Sequence, residues 1–284
     1  MQSVQKKEVH TISLAELAQF TEFMSERYGL QLSWYNQDSL SRRLSRVLAN
    51  ARLDNLQHLM LLLSRNSDYF HRFINSFTVK VTELFREPLA LKELRTLSFP
   101  HLQRIISPKI LIVGSSSGEE MISLCIMLEE VGLLEQSEIM VTDISKDALA
   151  KSQNFAVSKT KIKHASMNYH KAGGNALLED YYQSTSSMCF FKESLFQNVK
   201  WSLFDITQSE LGMQFDLILC KNVLIYFNHE FQSKPLTRLV RHLRPGGVLA
   251  LGEQESMAFY KNDSFQMQTL SSEFKIYRKS LKQL

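Results

Sequence analysis

The chain has 284 residues, 44% of them hydrophobic and 22% charged, which is ordinary for globular protein and enough for one large α/β domain or a small domain plus a medium one. These values exclude a disordered chain, a collagen-like chain and a coiled coil, no apolar run approaches the roughly 18 residues needed to span a bilayer, and the polar stretch Met1–His10 has no secretory h-region. Lys plus Arg is 33 and Asp plus Glu is 29, a net charge of +4 that permits an acidic partner but does not imply nucleic acid, and the three cysteines (Cys125, Cys189 and Cys220) have neither C-x-x-C spacing nor an even count, so reduced thiols in a cytoplasm are expected.

Residues 12 to about 76 read as helical. Leu14, Leu17, Phe20 and Phe23 recur near the helical period, and Gly29 follows as a C-cap. Leu40, Leu44 and Leu48 repeat the pattern over Asp38–Leu48. Leu56–Leu63 and Tyr69–Phe77 give two further helices. This predicts a small all-helical domain over 1–78. A linker and connecting helix are expected over 79–107.

From residue 108 the pattern changes. Lys109–Val113, Glu138–Asp143, Phe215–Cys220, Val248–Gly252 and Phe274–Arg278 are short apolar runs of strand type. Helices are expected over Met121–Glu130, from a Ser145 cap to about Val157, and over His229–Leu243, the last ended by Arg244-Pro245-Gly246-Gly247. Strands alternating with helices predict an α/β fold with a mostly parallel sheet over 108–284. Residues 159–200 mix polar residues, Gly173-Gly174 and aromatics, which suggests an inserted subdomain.

Several sites could carry chemistry. Val113-Gly114-Ser115-Ser116-Ser117-Gly118 follows a strand and precedes a helix, so its small residues could admit a nucleotide-type cofactor or form an ordinary βα turn. Its G-x-x-x-G spacing is not a dinucleotide fingerprint. Asp143 at the end of the second strand suits both hydroxyls of a ribose, with a loop acid as the plainer alternative. Glu119 and Glu120 open the next helix, where the dipole favours acids. They would repel a pyrophosphate and attract a cationic cofactor. Asp205 could contact an adenine amino group or hold a turn. Lys221 and Asn222 end the Phe215–Cys220 strand, where an open sheet places its ligand crevice, and Tyr226 could reach the same crevice. Thr82–Pro88, with Arg86, joins the two regions. Arg42, Arg43 and Arg46 form either a solvated face or a dock for an acidic partner. There is no G-x-S-x-G, H-E-x-x-H or P-loop, and His164, His170, His229 and His242 lack metal-ligand spacing, so no metal site is expected.

Four of these segments occur in the order found in the CheR-type chemotaxis receptor methyltransferases, which the chain resembles from about residue 15 to 280. Thr82–Glu87 is similar to that family's T-x-F-F-R-[DE] segment, and Ser117-Gly118-Glu119-Glu120, Thr142-Asp143-Ile144 and Asn222–Phe227 follow. The resemblance implies a small helical N-terminal domain and a Rossmann-like class I methyltransferase domain with a small inserted subdomain. It implies S-adenosylmethionine as cofactor, S-adenosylhomocysteine as product, and esterification of glutamate side chains on chemoreceptors during sensory adaptation. Cofactor contacts then fall on Lys80, Thr82, Arg86, Gly114, Gly118, Glu119, Asp143, Asp205, Ile206, Asn222 and Val223. Arg86 and Tyr226 are the catalytic pair, and Arg42, Arg43 and Arg46 dock the cytoplasmic helical bundle of the receptor. The family commonly has Asn at the position of Lys80, Arg at Lys221, and His-Ser at Glu253-Gln254. The insert lacks the Gly-x-Gly pattern of members that bind a receptor's C-terminal pentapeptide, so recognition without a tether is expected. A cytoplasmic monomer is expected, transiently at membrane receptor arrays, without insertion in the membrane and without nucleic acid. Two rivals are a small-molecule methyltransferase of the same fold and a catalytically weak regulatory module that binds the cofactor or its product.

Overall fold

Ser13 starts the first helix as the residue types demand. Its hydroxyl accepts the Glu16 amide, and the Glu16 carboxylate accepts from Ser13 in return, a reciprocal capping box. The helix, α1 (Leu14–Tyr28), ends at Gly29 in the left-handed region with φ 70°. Asn36, Asn55 and Asn66 cap α2 (Gln37–Ala51), α3 (Leu56–Arg65) and α4 (Ser67–Phe77) through their side-chain oxygens. The computed structural model describes residues 12–78, 82–260 and 265–281. It divides into two units. The first takes Met1–Val79 together with Tyr226–Asn228, and the second takes Lys80–Ile225 and His229–Leu284.

The helical unit buries one stripe of each helix: Leu17, Phe20 and Met24 on α1, Leu40, Leu44 and Leu48 on α2, Leu59 and Leu63 on α3, and Phe73, Ile74 and Phe77 on α4. Phe20 meets Phe73 edge-on at 5.9 Å. The three-residue segment Tyr226–Asn228 belongs to this unit through backbone pairing. The Asn36 amide donates to the Tyr226 carbonyl at 2.9 Å, and the Asn228 amide donates to that of Trp34 at 2.8 Å.

The second unit opens with α5 (Pro88–Leu102), whose Pro88 suits a first helical turn. Then come β1 (Lys109–Val113), α6 (Glu119–Glu129), β2 (Glu138–Asp143) and α7 (Lys146–Gln153). An insert follows: β3 (Ala156–Ser158), α8 (Lys159–Lys171), β4 (Tyr182–Ser184) and β5 (Met188–Phe191). The main fold resumes with β6 (Val199–Leu203), β7 (Phe215–Cys220), α9 (Ser233–His242), β8 (Leu243–Leu251), β9 (Met267–Ser271) and β10 (Ile276–Lys279). The seven-stranded sheet runs β6-β2-β1-β7-β8-β10-β9, and the insert forms its own sheet β3-β5-β4. β6, β2, β1, β7 and β8 are parallel, while β10 is antiparallel to both of its neighbours. This is the expected Rossmann-like arrangement. β7 is buried along its whole length, as a central parallel strand must be.

The structure corrects several boundaries. The helix that Ser145 caps ends at Gln153 rather than about Val157, and Ala156–Ser158 instead pairs with Met188–Phe190 as an insert strand. The insert therefore begins before residue 159, and Val199 already belongs to the main sheet through pairing with Ile139. The helix expected from His229 begins at Ser233 after a short 3₁₀ turn. Arg244-Pro245-Gly246-Gly247, expected to stop it, lies inside β8, where the β7–β8 register shifts between Phe215 and Leu217. An irregular stretch is where a strand tolerates proline. The last strand is Ile276–Lys279 instead of Phe274–Arg278, and β9 carries no alternation visible in sequence. All three cysteines are free and buried. Among the described residues, no helix is long and apolar enough to cross a membrane.

Candidate functional site

Chain order sets the position of a ligand crevice. From β1 the chain moves outward through β2 to β6, then returns to place β7 on the other side of β1. At such a reversal the loops beyond the carboxyl ends diverge and leave a cleft. Gly114, Asp143, Asp205 and Asn222 follow or close β1, β2, β6 and β7, so the sheet brings these four expected residues to one edge.

The loop after β1 is built for close approach. Gly114 sits at φ 78°, and a Cβ there would lie 2.6 Å from Cγ2 of Val223. Gly114→Ala is therefore expected to strain the backbone and push Val223 aside, lowering stability by about 1–3 kcal/mol in thermal unfolding. Gly118 sits at φ 106°, and its Cβ would meet Ser152 at 2.9 Å. Asp143 draws the loop together: its Oδ2 accepts the Ser116 amide at 3.0 Å, and its Oδ1 accepts that of Ser145 at 2.9 Å. The Ser115 and Ser116 hydroxyl oxygens are buried without a hydrogen-bond partner. A glycine cradle, buried hydroxyls open to a partner and a strand-end acid together fit an adenosine-type ligand.

The two glutamates that open α6 diverge. Glu119 is buried and accepts the Ser117 hydroxyl at 2.7 Å. Glu120 is half-buried, and its charge couples to Lys221, Glu87, Glu255 and Arg86. Burial pushes its pKa up to about 7. Glu87 and Glu255 push the same way, while Lys221 and Arg86 oppose. The sequence reading put Glu119 among the cofactor contacts; in the structure Glu119 holds Ser117, while the charges of Lys221, Glu87, Glu255 and Arg86 act on Glu120.

Thr82 is half-buried at the head of the segment that carries Arg86. Lys80 lies outside the described residues. Phe85 and Glu87 both hold positive φ, at 53° and 54°. Such conformations need support from their surroundings. The Phe85 amide finds it in the Ser123 hydroxyl at 2.8 Å, and Ser123 in turn donates to the Glu119 carbonyl. Glu87 gathers three neighbours: Lys221 Nζ at 3.1 Å, Asn222 Nδ2 at 3.4 Å and Arg86 Nε at 3.9 Å. The Arg86 side chain remains 37% exposed, against 5% for Lys221.

Asp205 spends its carboxylate on its own turn. Oδ1 accepts the Thr207 amide and hydroxyl, both at 2.7 Å, and Oδ2 accepts from Gln208. Ile206 beside it is buried, and its carbonyl accepts from Arg238 at 2.8 Å.

Tyr226 is grouped with the helical unit. Its ring lies 4.0 Å beneath the Arg43 guanidinium, which also covers Phe77 at 5.5 Å. Burial lowers the Arg43 pKa, while Tyr226 and Tyr35 counteract that. Of the three arginines read as a dock, Arg43 is thus half-buried between rings, and Arg42 and Arg46 are the exposed ones, four residues apart.

Sequence reasoning gave no role to Glu255. Its side chain is buried 30 to 33 residues downstream of the turn it binds. No local spacing signals a contact of that range. Burial raises its pKa, opposed by the amides of Gly252, Asn222, Leu224 and Val223. Among the described residues no group of three or more His, Cys, Asp or Glu could hold a metal ion.

Comparison with known proteins agrees with this architecture. Residues 80–274 match the family model for the CheR methyltransferase SAM-binding domain, and residues 15–78 match that for the CheR methyltransferase all-alpha domain. The relative named "Putative methyltransferase Cher3" of Pseudomonas putida is 29% identical over 266 residues, covering 93% of this chain and 97% of the relative. Chemotaxis protein methyltransferase 1 of Vibrio cholerae is 28% identical, covering 90% and 94%. The chemotaxis protein methyltransferase of Escherichia coli is 24% identical, covering 90% and 89%. With both family models matching in their proper order and the crevice residues placed at the strand ends of a S-adenosylmethionine-binding domain, the chain belongs to the CheR methyltransferase family.

Proposed function

We propose that this protein transfers the methyl group of S-adenosylmethionine to glutamate side-chain carboxylates of chemoreceptors, forming methyl esters. The observation that carries the reading is Arg86, a part-exposed guanidinium on a strained segment beside the crevice of a methyltransferase domain. The chemotaxis names of relatives that align over most of their length support the receptor as substrate.

When bound, S-adenosylmethionine supplies an electrophilic methyl group on a sulfonium. A glutamate substrate with pKa about 4.3 is already ionised at neutral pH, so no strong base is required of the protein. Alignment and removal of water are the main tasks. Arg86 holds the incoming carboxylate. Glu87 at 3.9 Å tempers that grip, which matters because a substrate bound too tightly in its ground state gains no rate. Glu120 supplies negative charge toward the cationic cofactor. Gly114, Gly118 and Val223 shape its bed, Asp143 takes the ribose, and Asp205 and Ile206 border the adenine. Of the two residues that the resemblance assigns to catalysis, only Arg86 belongs to the sheet unit, and the mechanism rests on it.

Arg42 and Arg46 form the receptor-facing charge on the helical unit. The product ester removes one negative charge from a receptor helix, an electrostatic change suited to signalling. The test uses methyl-labelled S-adenosylmethionine with a chemoreceptor cytoplasmic fragment. Base-labile label on the fragment is the expected outcome, and none with an active receptor would sink the reading. Reversing both charges (Arg42→Glu with Arg46→Glu) is expected to weaken receptor methylation about tenfold or more while leaving S-adenosylhomocysteine affinity unchanged. Equal loss of both would argue against docking.

A further inference from the structure

The turn after β7 carries Asn222 and Val223, two residues read as the floor of the cofactor pocket. Asn222 sits at φ 60°, and the segment has few side-chain bonds of its own. Its backbone amides converge on one buried carboxylate instead. Glu255 Oε2 accepts from Gly252 at 2.7 Å and from Asn222 at 2.9 Å. Glu255 Oε1 accepts from Val223 at 2.8 Å, from Leu224, and from Ile225 at 3.3 Å. Five main-chain donors therefore share one anion that is 3% exposed. Amides gathered in this way form an anion nest, the arrangement that elsewhere binds phosphate, here filled by the protein's own side chain. Gly252 makes room for it: a Cβ at that position would lie 2.9 Å from Asn222 N, from Asn222 Nδ2 and from Glu255 Oε2.

We propose that Glu255 is a positioning residue for methyl transfer, acting as an internal anion that holds the Asn222–Ile225 turn in its cofactor-binding shape without touching the cofactor itself. The chemistry supports a charge in this role rather than only a shape. Two carboxylate oxygens can accept all five amides, whereas a glutamine would turn an NH₂ toward N–H donors and leave some of them unpaired. The proposal rests on the cofactor reading above, and its test separates the two.

Glu255→Ala empties the nest, and a small carboxylate can then refill it. S-adenosylhomocysteine affinity is expected to fall about tenfold or more in Glu255→Ala. Millimolar formate should recover part of that loss, and formamide, its neutral counterpart, should not. Formate should leave the wild type unchanged. The amides of Gly252 and Asn222–Ile225 should exchange with solvent about tenfold faster in the variant, while those of β1 stay protected. In methyl transfer the KM for S-adenosylmethionine should rise more than kcat falls. If Glu255→Ala does not fold, Glu255→Gln carries the same expectations except rescue. Unchanged affinity, or loss that formate and formamide restore alike, would overturn the proposal. Absence of binding in the wild type would overturn the cofactor reading instead, and amide exchange would still decide whether Glu255 anchors the turn.

Discussion

Replacing Arg86 with alanine is expected to reduce methyl transfer by about 10²-fold or more while barely moving the melting temperature. Loss of a group that aligns the attacking carboxylate costs about this much when the reacting atoms are no longer held in line. The stability side follows from position. The Arg86 side chain is 37% exposed, and its Nε lies 3.9 Å from Glu87 Oε1. An ion pair that long and that wet contributes little to folding. Glu87 also keeps Lys221 at 3.1 Å, so removing Arg86 does not strand it. Lysine at position 86 would keep the charge but not the planar fork that grips a carboxylate with two parallel bonds, so Arg86→Lys should recover only part of the rate. Single-turnover methylation with saturating cofactor separates this from a binding defect. Turnover within about threefold of wild type in the alanine variant would remove Arg86 from the reaction.

Glu120→Gln should do two opposite things, and their pH dependence has a fixed sign. In the folded chain the Glu120 pKa is raised from 4.5 to about 7. A carboxyl raised in this way favours the folded state fully below its unfolded pKa. That contribution is lost as pH rises through about 7, where the folded state must carry the charge. Glutamine stays neutral throughout. The stability of the variant relative to wild type should therefore grow between pH 5 and pH 8, by an amount on the order of 1–3 kcal/mol. Urea unfolding at both pH values reads it directly. Binding should run the other way. Above pH 7 an ionised Glu120 attracts a sulfonium, so S-adenosylmethionine should bind more tightly at pH 8 than at pH 6, and this gain should vanish in Glu120→Gln. S-adenosylhomocysteine lacks the sulfonium and should show less of it. A variant destabilised equally at both pH values would contradict the assignment of Glu120 as the strained carboxyl.

How much of this was legible in the sequence depended on distance along the chain. The helical unit was readable because its information is local: apolar residues at helical spacing on α1, leucines one turn apart on α2, and a glycine after α1. β1, β2 and β7 were readable to the residue because buried parallel strands are continuous apolar runs. β6 and β9 were not, since their side chains are a mixture of exposed and half-buried types. The end of α7 was missed because lysine, serine and glutamine continue a helix as readily as they end one. Within the site, strand-end residues such as Asp143 and Asn222 could be placed by rule. Glu255 could not, because its meaning lies in amides some 30 residues earlier. The different surroundings of the neighbours Glu119 and Glu120 were also invisible, since the partners of two adjacent helical residues are settled only by packing.

The strand order of the main sheet has a consequence for how the protein is made. Among the described residues β10 is the last strand in chain order, and it does not sit at the edge. It lies between β8 and β9, antiparallel to both. Its Lys279 places an ammonium group against the Val240 and Leu243 carbonyls, 2.8 and 2.7 Å away, closing the end of α9. Among the described residues, without that strand β8 has one open flank and β9 has no neighbouring strand. Vectorial synthesis can therefore complete the cofactor-bearing half, β1, β2, β6 and β7, well before the far flank exists. Among the described residues β9 pairs with no other strand, so the far flank of this sheet closes only when β10 joins β8 and β9 together.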